Sequence, residues 1–256
     1  MPKVNISGVN IYYEVHGQGQ PLILLHHGFG CTKMWEDLLP KFAAKYKVVL
    51  YDRRGFGESD KGEDFWDYYR SEQYNQNSVE ELSILLEHLN IKDEIRLLGQ
   101  CEGGVIGFYY AAQYPQRVKA IAISSTLCYS EILMSELNSS RMFSSFEEAD
   151  AEFQHKLVYW HGETWARTFY NLALRGGGAY GSGVFDLRGI LKNIQCPALV
   201  LYPDRSGLFE VEQAILMYRS LPAGELAVLP CCGHNTYALQ PEMYLRIILS
   251  FFERHC

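Results

Sequence analysis

No apolar run in this 256-residue chain approaches the length of a membrane span. Runs such as Leu22–Leu25 and Val48–Tyr51 hold only four residues each, against roughly 20 for a spanning helix. Basic residues are short too: 23 Lys and Arg stand against 30 Asp and Glu, a net charge of −7. That balance argues against a nucleic-acid or anionic-membrane surface. Cysteines are seven, odd in number and irregularly spaced, which is not the pattern of a disulfide scaffold. The opening Met-Pro-Lys-Val-Asn-Ile has no charged head, apolar core or small-residue cleavage site of a signal peptide. A reduced, cytoplasmic protein is expected. Repeats and low-complexity tracts are missing, while apolar residues reach 48% and charged ones only 21%. Disorder, collagen and coiled coil are excluded, and a sizeable core is affordable.

What is present is a rhythm of short strands and helices. Val4–Ile6 and Val9–Glu14 alternate around Ser7-Gly8, a hairpin signal. Buried strands are predicted at Leu22–Leu25, Val48–Tyr51, Ile95–Leu98, Val118–Ser124, Ala198–Tyr202 and Leu226–Leu229. Between them run helical patterns. One is predicted to start with a capping box at Ser78 and Glu81, and a terminal helix covers roughly 242–253. Such alternation predicts a mostly parallel sheet covered on both faces. Between about 126 and 185 strand signals stop, and helical, aromatic-rich stretches including Trp160 and Trp165 take over. These are expected to form a helical cap over the sheet's carboxyl edge, with core at 1–125 and 186–256. Gly176-Gly177-Gly178-Ala179-Tyr180-Gly181 fits G-x-G-x-x-G, yet a helical pattern precedes it and no helix follows. A dinucleotide site is therefore not expected there.

Three patterns carry chemistry. A strand runs into Gly99-Gln100-Cys101-Glu102-Gly103 and then a helix. This is the sharp turn that lifts a nucleophile above a sheet, with cysteine where serine is usual. A helix N-terminus under Cys101 and a nearby His234 predict a lowered thiol pKa. Second, His27-Gly28-Phe29-Gly30 follows the third strand, where the Phe29 and Glu102 amides are expected to form an oxyanion hole; the loop's own histidines read as structural. Third, Gly233-His234 lies after the last strand, in the order expected of a general base. Cys231-Cys232 beside it are adjacent, so they cannot easily point at one ion, and no metal is expected.

With Tyr51-Asp52-Arg53-Arg54-Gly55-Phe56-Gly57-Glu58-Ser59, these motifs resemble the α/β-hydrolase superfamily, in particular its small capped esterases, enol-lactonases and C–C hydrolases. The resemblance covers about residues 3–125 and 186–255. It implies an eight-stranded sheet, a nucleophile–acid–histidine triad and no cofactor. Two features depart from the pattern. Cysteine stands at 101, as in dienelactone hydrolases; an engineered replacement of serine would read the same way. The acid is displaced: the usual aspartate register falls on Ser206, and Asp204 comes two residues early. Asp204 is taken as the orienting acid, with Ser206 as the other candidate. The expected activity is hydrolysis of an activated ester, lactone or thioester through Cys101. The partner is a small molecule whose hydrophobic portion meets Trp160 and Trp165. No nucleic acid or membrane partner is expected, and a homodimer is compatible with the sequence. The alternatives are a non-hydrolytic binding or sensing protein, or a lyase or C–C bond hydrolase on the same fold.

Overall fold

The computed structural model describes residues 2–256. Eight strands form one sheet: β1 (Lys3–Ile6), β2 (Val9–His16), β3 (Pro21–Leu25), β4 (Lys47–Tyr51), β5 (Ile95–Gln100), β6 (Val118–Ser124), β7 (Ala198–Pro203) and β8 (Gly224–Leu229). Their spatial order is β1-β2-β4-β3-β5-β6-β7-β8. The β1–β2 and β2–β4 pairs are antiparallel and every later pair is parallel. Ser7 and Gly8 both take positive φ, 48° and 85°, the two-residue turn that matches the twist of a hairpin.

The helices are α1 (Leu39–Ala43), α2 (Phe65–Arg70), α3 (Tyr74–His88), α4 (Glu102–Gln113), α5 (Met134–Arg141), α6 (Ala151–His161), α7 (Glu163–Ala173), α8 (Arg188–Leu191), α9 (Glu212–Ser220), α10 (Thr236–Leu239) and α11 (Pro241–Arg254). None is long and apolar enough to cross a membrane among the described residues. The central strands read as unbroken apolar runs because both faces are covered. Along β3, Ile23 and Leu25 enter one hydrophobic cluster, while Leu22 and Leu24 enter the other, as the two-residue side-chain period requires.

One local expectation fails. α3 begins at Tyr74, a turn before Ser78, so no capping box forms. The Tyr74 ring is fully buried, and packing it extends the helix past the Ser78 cap signal. Glu81 instead accepts the Tyr68 hydroxyl at 2.9 Å.

Parallel pairing brings the carboxyl ends of the central strands level. Leu25 pairs with Gly99, Gln100 with Ser124, Ser124 with Leu201, and Pro203 with Leu229. The loops after β3, β5, β7 and β8 therefore open onto one edge. Between β6 and β7 stand α5, α6, α7, a 3-10 turn at Gly178–Tyr180 and the short α8.

Candidate active site

Cys101 sits between β5 and α4 with φ 53° and ψ −115°, a conformation an L-residue holds only when its surroundings enforce it. The enforcement is close packing. A Cβ on Gly99 would lie 2.6 Å from the Gly103 backbone, and one on Gly103 would run into the Leu25 carbonyl. The Cys101 N–H donates to the Ser124 carbonyl at 2.8 Å, and Thr126 Oγ1 donates to the Cys101 carbonyl at 3.0 Å. Cys101 lines a cavity of about 460 Å³ whose walls include Phe29, Met134, Phe153, Tyr170, Phe209 and His234. α5, α6 and α7 contribute much of that wall, so the cavity is mostly apolar.

The His26–Phe29 loop after β3 is held from behind. The buried Arg53 guanidinium donates from Nη1 to the His26 carbonyl at 2.5 Å and from Nη2 to that of His27 at 3.2 Å, and Nη2 lies 3.6 Å from Glu102 Oε2. His26 accepts the Arg53 N–H on Nε2 at 3.1 Å and donates from Nδ1 to the His27 carbonyl at 2.8 Å. The amide geometry differs from expectation at one of its two positions. The Phe29 N–H donates to His27 Nδ1 at 3.1 Å. The backbone groups acting on the Cys101 thiol are those of Gly28 and Glu102.

His234 is fixed through its own carbonyl, which accepts Gln100 Nε2 at 3.0 Å and Ser125 Oγ at 2.7 Å. Ser124 and Thr236 hydroxyls join at 2.6 Å beneath it, and Ser124 also donates to Gln100. This buried polar set lies outside the motifs read from sequence, although Gln100 stands within the elbow itself. Its signal was a polar run, Ser124-Ser125-Thr126, at the end of an otherwise apolar strand.

Asp204 does not reach His234. Its Oδ1 accepts the Cys232 N–H at 3.0 Å. Backbone donors from Cys232 and Cys231 hold this exposed carboxyl below the usual aspartate range. It ties the loop that carries the histidine rather than the ring. The ring's partner is Ser206, with Oγ 3.2 Å from Nδ1. Ser206 Oγ also accepts the N–H groups of Leu208 at 3.2 Å and Phe209 at 3.1 Å. A hydroxyl has two lone pairs and one proton. With both pairs taken, the proton goes to Nδ1, and the hydrogen-bond count assigns the His234 proton to Nε2.

The electrostatics also differ from the sequence expectation. Burial pushes the Cys101 thiol up to about 12, against the pull of Tyr180 and the two backbone groups. Burial alone pushes His234 down to about 4. Desolvation thus outweighs the helix terminus, and both groups rest uncharged near neutral pH. The side-chain hydrogen-bond partner of Cys101 Sγ is Tyr180 Oη at 3.4 Å, not His234.

Trp160 and Trp165 do not line the cavity. Trp165 Nε1 donates to the Gly55 carbonyl at 2.6 Å and its ring packs on Phe65 and Trp66. Trp160 is buried with its edge against His27. An indole needs both apolar area and an acceptor. Trp165 finds both at the Gly55 loop and Trp160 packs on the loop after β3, so the two rings fasten the helices between β6 and β7 to the sheet's loops instead of lining the cavity. The cavity-facing Phe and Tyr rings are Phe29, Tyr69, Phe143, Phe153, Tyr170, Tyr180 and Phe209.

A family model described as alpha/beta hydrolase fold matches residues 20–180. A proline iminopeptidase from Lactobacillus helveticus is 32% identical over 162 residues, which cover 61% of this chain and 53% of that protein. The chain thus spans about half the length of such curated relatives. Among solved structures, a thermophilic esterase from Thermogutta terrifontis superposes with a TM-score of 0.77 at 21% identity, covering 100% of both chains. The enol-lactonase from Burkholderia xenovorans gives 0.77 at 17% identity, covering 98% of this chain and 100% of that one.

Proposed function

The chain belongs to the alpha/beta hydrolase fold family, and on that premise we propose that it hydrolyses an ester-like acyl bond through an acyl-enzyme on Cys101. The observation that carries the reading is the placement of one thiol. Cys101 stands at positive φ on the head of α4, faces an apolar cavity, and has the Gly28 and Glu102 backbone beside it and His234 on the same wall. In the proposed reaction Sγ attacks the acyl carbon as His234 takes the thiol proton. The carbonyl π pair moves onto oxygen, which the two amides stabilise. Collapse expels the leaving group with the proton from His234. Water then attacks the thioester by the same route and releases the acid and the thiol.

His234 accepts that proton on Nε2 only after its resting proton has moved to Nδ1 and the Ser206 hydroxyl has turned. A neutral pair with the less suitable tautomer makes a weak base. The reading therefore favours bonds with good leaving groups: activated esters, lactones or thioesters. The cavity walls favour a hydrophobic acyl or ring portion, and the helices between β6 and β7 act as its cap. Ligand binding without turnover is the second reading, favoured by the missing carboxylate at Ser206. Stopped-flow release of product from an aromatic activated ester separates them. A burst equal to the enzyme concentration, absent in Cys101→Ala, supports the proposal. Equal turnover by Cys101→Ala, or none by the parent protein, overturns it.

A further inference from the structure

The glycine-rich turn set aside as a nucleotide motif has a position that calls for another role. It returns the chain from α7 to the cavity floor and ends on Tyr180, which lines the cavity beside Cys101. Its glycines are needed for the approach. Gly176, Gly177, Gly178 and Gly181 all take positive φ. A Cβ on Gly177 would lie 2.5 Å from the Tyr69 ring, and one on Gly178 would lie 2.8 Å from the Glu102 carboxylate. The turn is closed by Gly177 N–H to the Gly181 carbonyl at 2.9 Å. Ala179 is gripped on both sides of its peptide: Glu102 Oε2 accepts its N–H at 3.4 Å, and Asn75 Nδ2 donates to its carbonyl at 3.0 Å. The Tyr180 ring is set edge to face against Phe185 at 4.9 Å and Phe209 at 5.7 Å.

The hydroxyl is oriented too. Tyr180 Oη accepts the Leu127 N–H at 3.2 Å, and its other partner is Cys101 Sγ at 3.4 Å. No other acceptor bonds to this buried oxygen among the described residues, so its proton is satisfied only by pointing at the sulfur. Burial holds the phenol well above its usual range, so the proton stays in place at any working pH.

We infer that Tyr180 is a catalytic residue that donates its hydroxyl proton as a hydrogen bond to the Cys101 sulfur whenever that sulfur carries negative charge. The inference rests on the nucleophile reading above. Negative charge gathers on Sγ as His234 removes the thiol proton, before the C–S bond forms, and again as that bond breaks in hydrolysis of the thioester. Tyr180 keeps its proton throughout, and no bond to it is made or broken. It takes the place at sulfur that the resting His234 does not occupy.

Tyr180→Phe removes Oη and leaves the ring between Phe185 and Phe209. Alkylation of Cys101, read by peptide mass against pH, is expected to slow about 10- to 100-fold at each pH, the worth of a hydrogen bond to a charged group, while Cys256 alkylates unchanged. The kcat for an activated ester should fall by a similar factor with KM held within about threefold. Unchanged or faster alkylation of Cys101 overturns the inference. If Tyr180→Phe does not fold, Asn75→Ala loosens the turn from outside the cavity. It should slow Cys101 alkylation about three- to tenfold, and no change there equally overturns it. The nucleophile reading fails separately, when Cys101→Ala retains turnover. If Cys101→Ala abolishes turnover while Tyr180→Phe alkylates normally, only the tyrosine's role is lost.

Discussion

Replacing Ser206 with aspartate tests what limits this site. Ser206 Oγ lies 3.2 Å from His234 Nδ1 and already accepts two backbone N–H groups, so it donates to the ring. In Ser206→Asp, one carboxylate oxygen can keep those two amides and the other can accept an Nδ1–H. That reverses the tautomer and leaves Nε2 free to accept a proton. A carboxylate about 4 Å from the imidazolium at an effective dielectric of ~20 contributes about 4 kcal/mol, or about three pKa units. His234, now pushed down to about 4 by burial, would approach about 7, less what burying the new carboxylate costs. In serine triads the wrong histidine tautomer costs about 10⁴ in kcat. A thiol leans less on its base, so the expected gain is about 10- to 10³-fold in kcat, with KM changed less than about threefold. The pH–rate profile for an activated aromatic ester and the ¹⁵N shifts of His234 provide the assay. A folded Ser206→Asp variant with unchanged or lower kcat, and His234 still titrating near its present value, would show that the missing carboxylate does not limit this site.

Three further outcomes are expected. With the Cys101 thiol pushed up to about 12, its alkylation rate should climb about tenfold per pH unit from about pH 6 to 9; a plateau below pH 8 would show that burial does not dominate. Asp204→Asn should lower kcat less than about tenfold, because its carboxylate meets Cys232 N–H and not His234; a loss of 10³-fold would restore it as the orienting acid. His161, whose Nδ1 accepts the Gly57 N–H and whose Nε2 meets the Phe29 carbonyl, is pushed by burial from 6.5 to about 4. The unfolded chain binds that proton between these values and the folded chain does not, so the contribution is full above pH 6.5 and lost on acidification. Relative to His161→Gln, the parent should lose about 1.4 kcal/mol per pH unit between pH 6 and 5; a constant difference in urea midpoints would contradict it.

The parts of this molecule that follow short-range rules were legible in its residues. The two-residue hairpin, the buried parallel strands and the Gly99–Gly103 elbow each depend on a few adjacent side chains and on their period. The site depends on contacts from far along the chain. Whether Asp204 or Ser206 meets the histidine depends on where Cys231 and Cys232 present their amides, since these capture the Asp204 carboxylate first. Tyr180 reaches Cys101 across 79 residues of sequence, and its glycines matched a nucleotide pattern better than they matched anything known of a sulfur site. Trp160 and Trp165 carry the right composition for a ligand wall, yet helix rotation turns them onto the sheet's loops. The thiol pKa misled for a different reason. A helix terminus is visible in sequence, whereas the depth of burial that overrides it is not.

Hydrolysis through Cys101 requires a covalent bond at one sulfur. The protein should be mixed with an activated aromatic ester, quenched in acid during the burst, and weighed intact and after digestion. One added acyl group is expected, mapped to the peptide holding Cys101 and absent from Cys101→Ala. Turnover with no acyl adduct on Cys101, undiminished in Cys101→Ala, would contradict it.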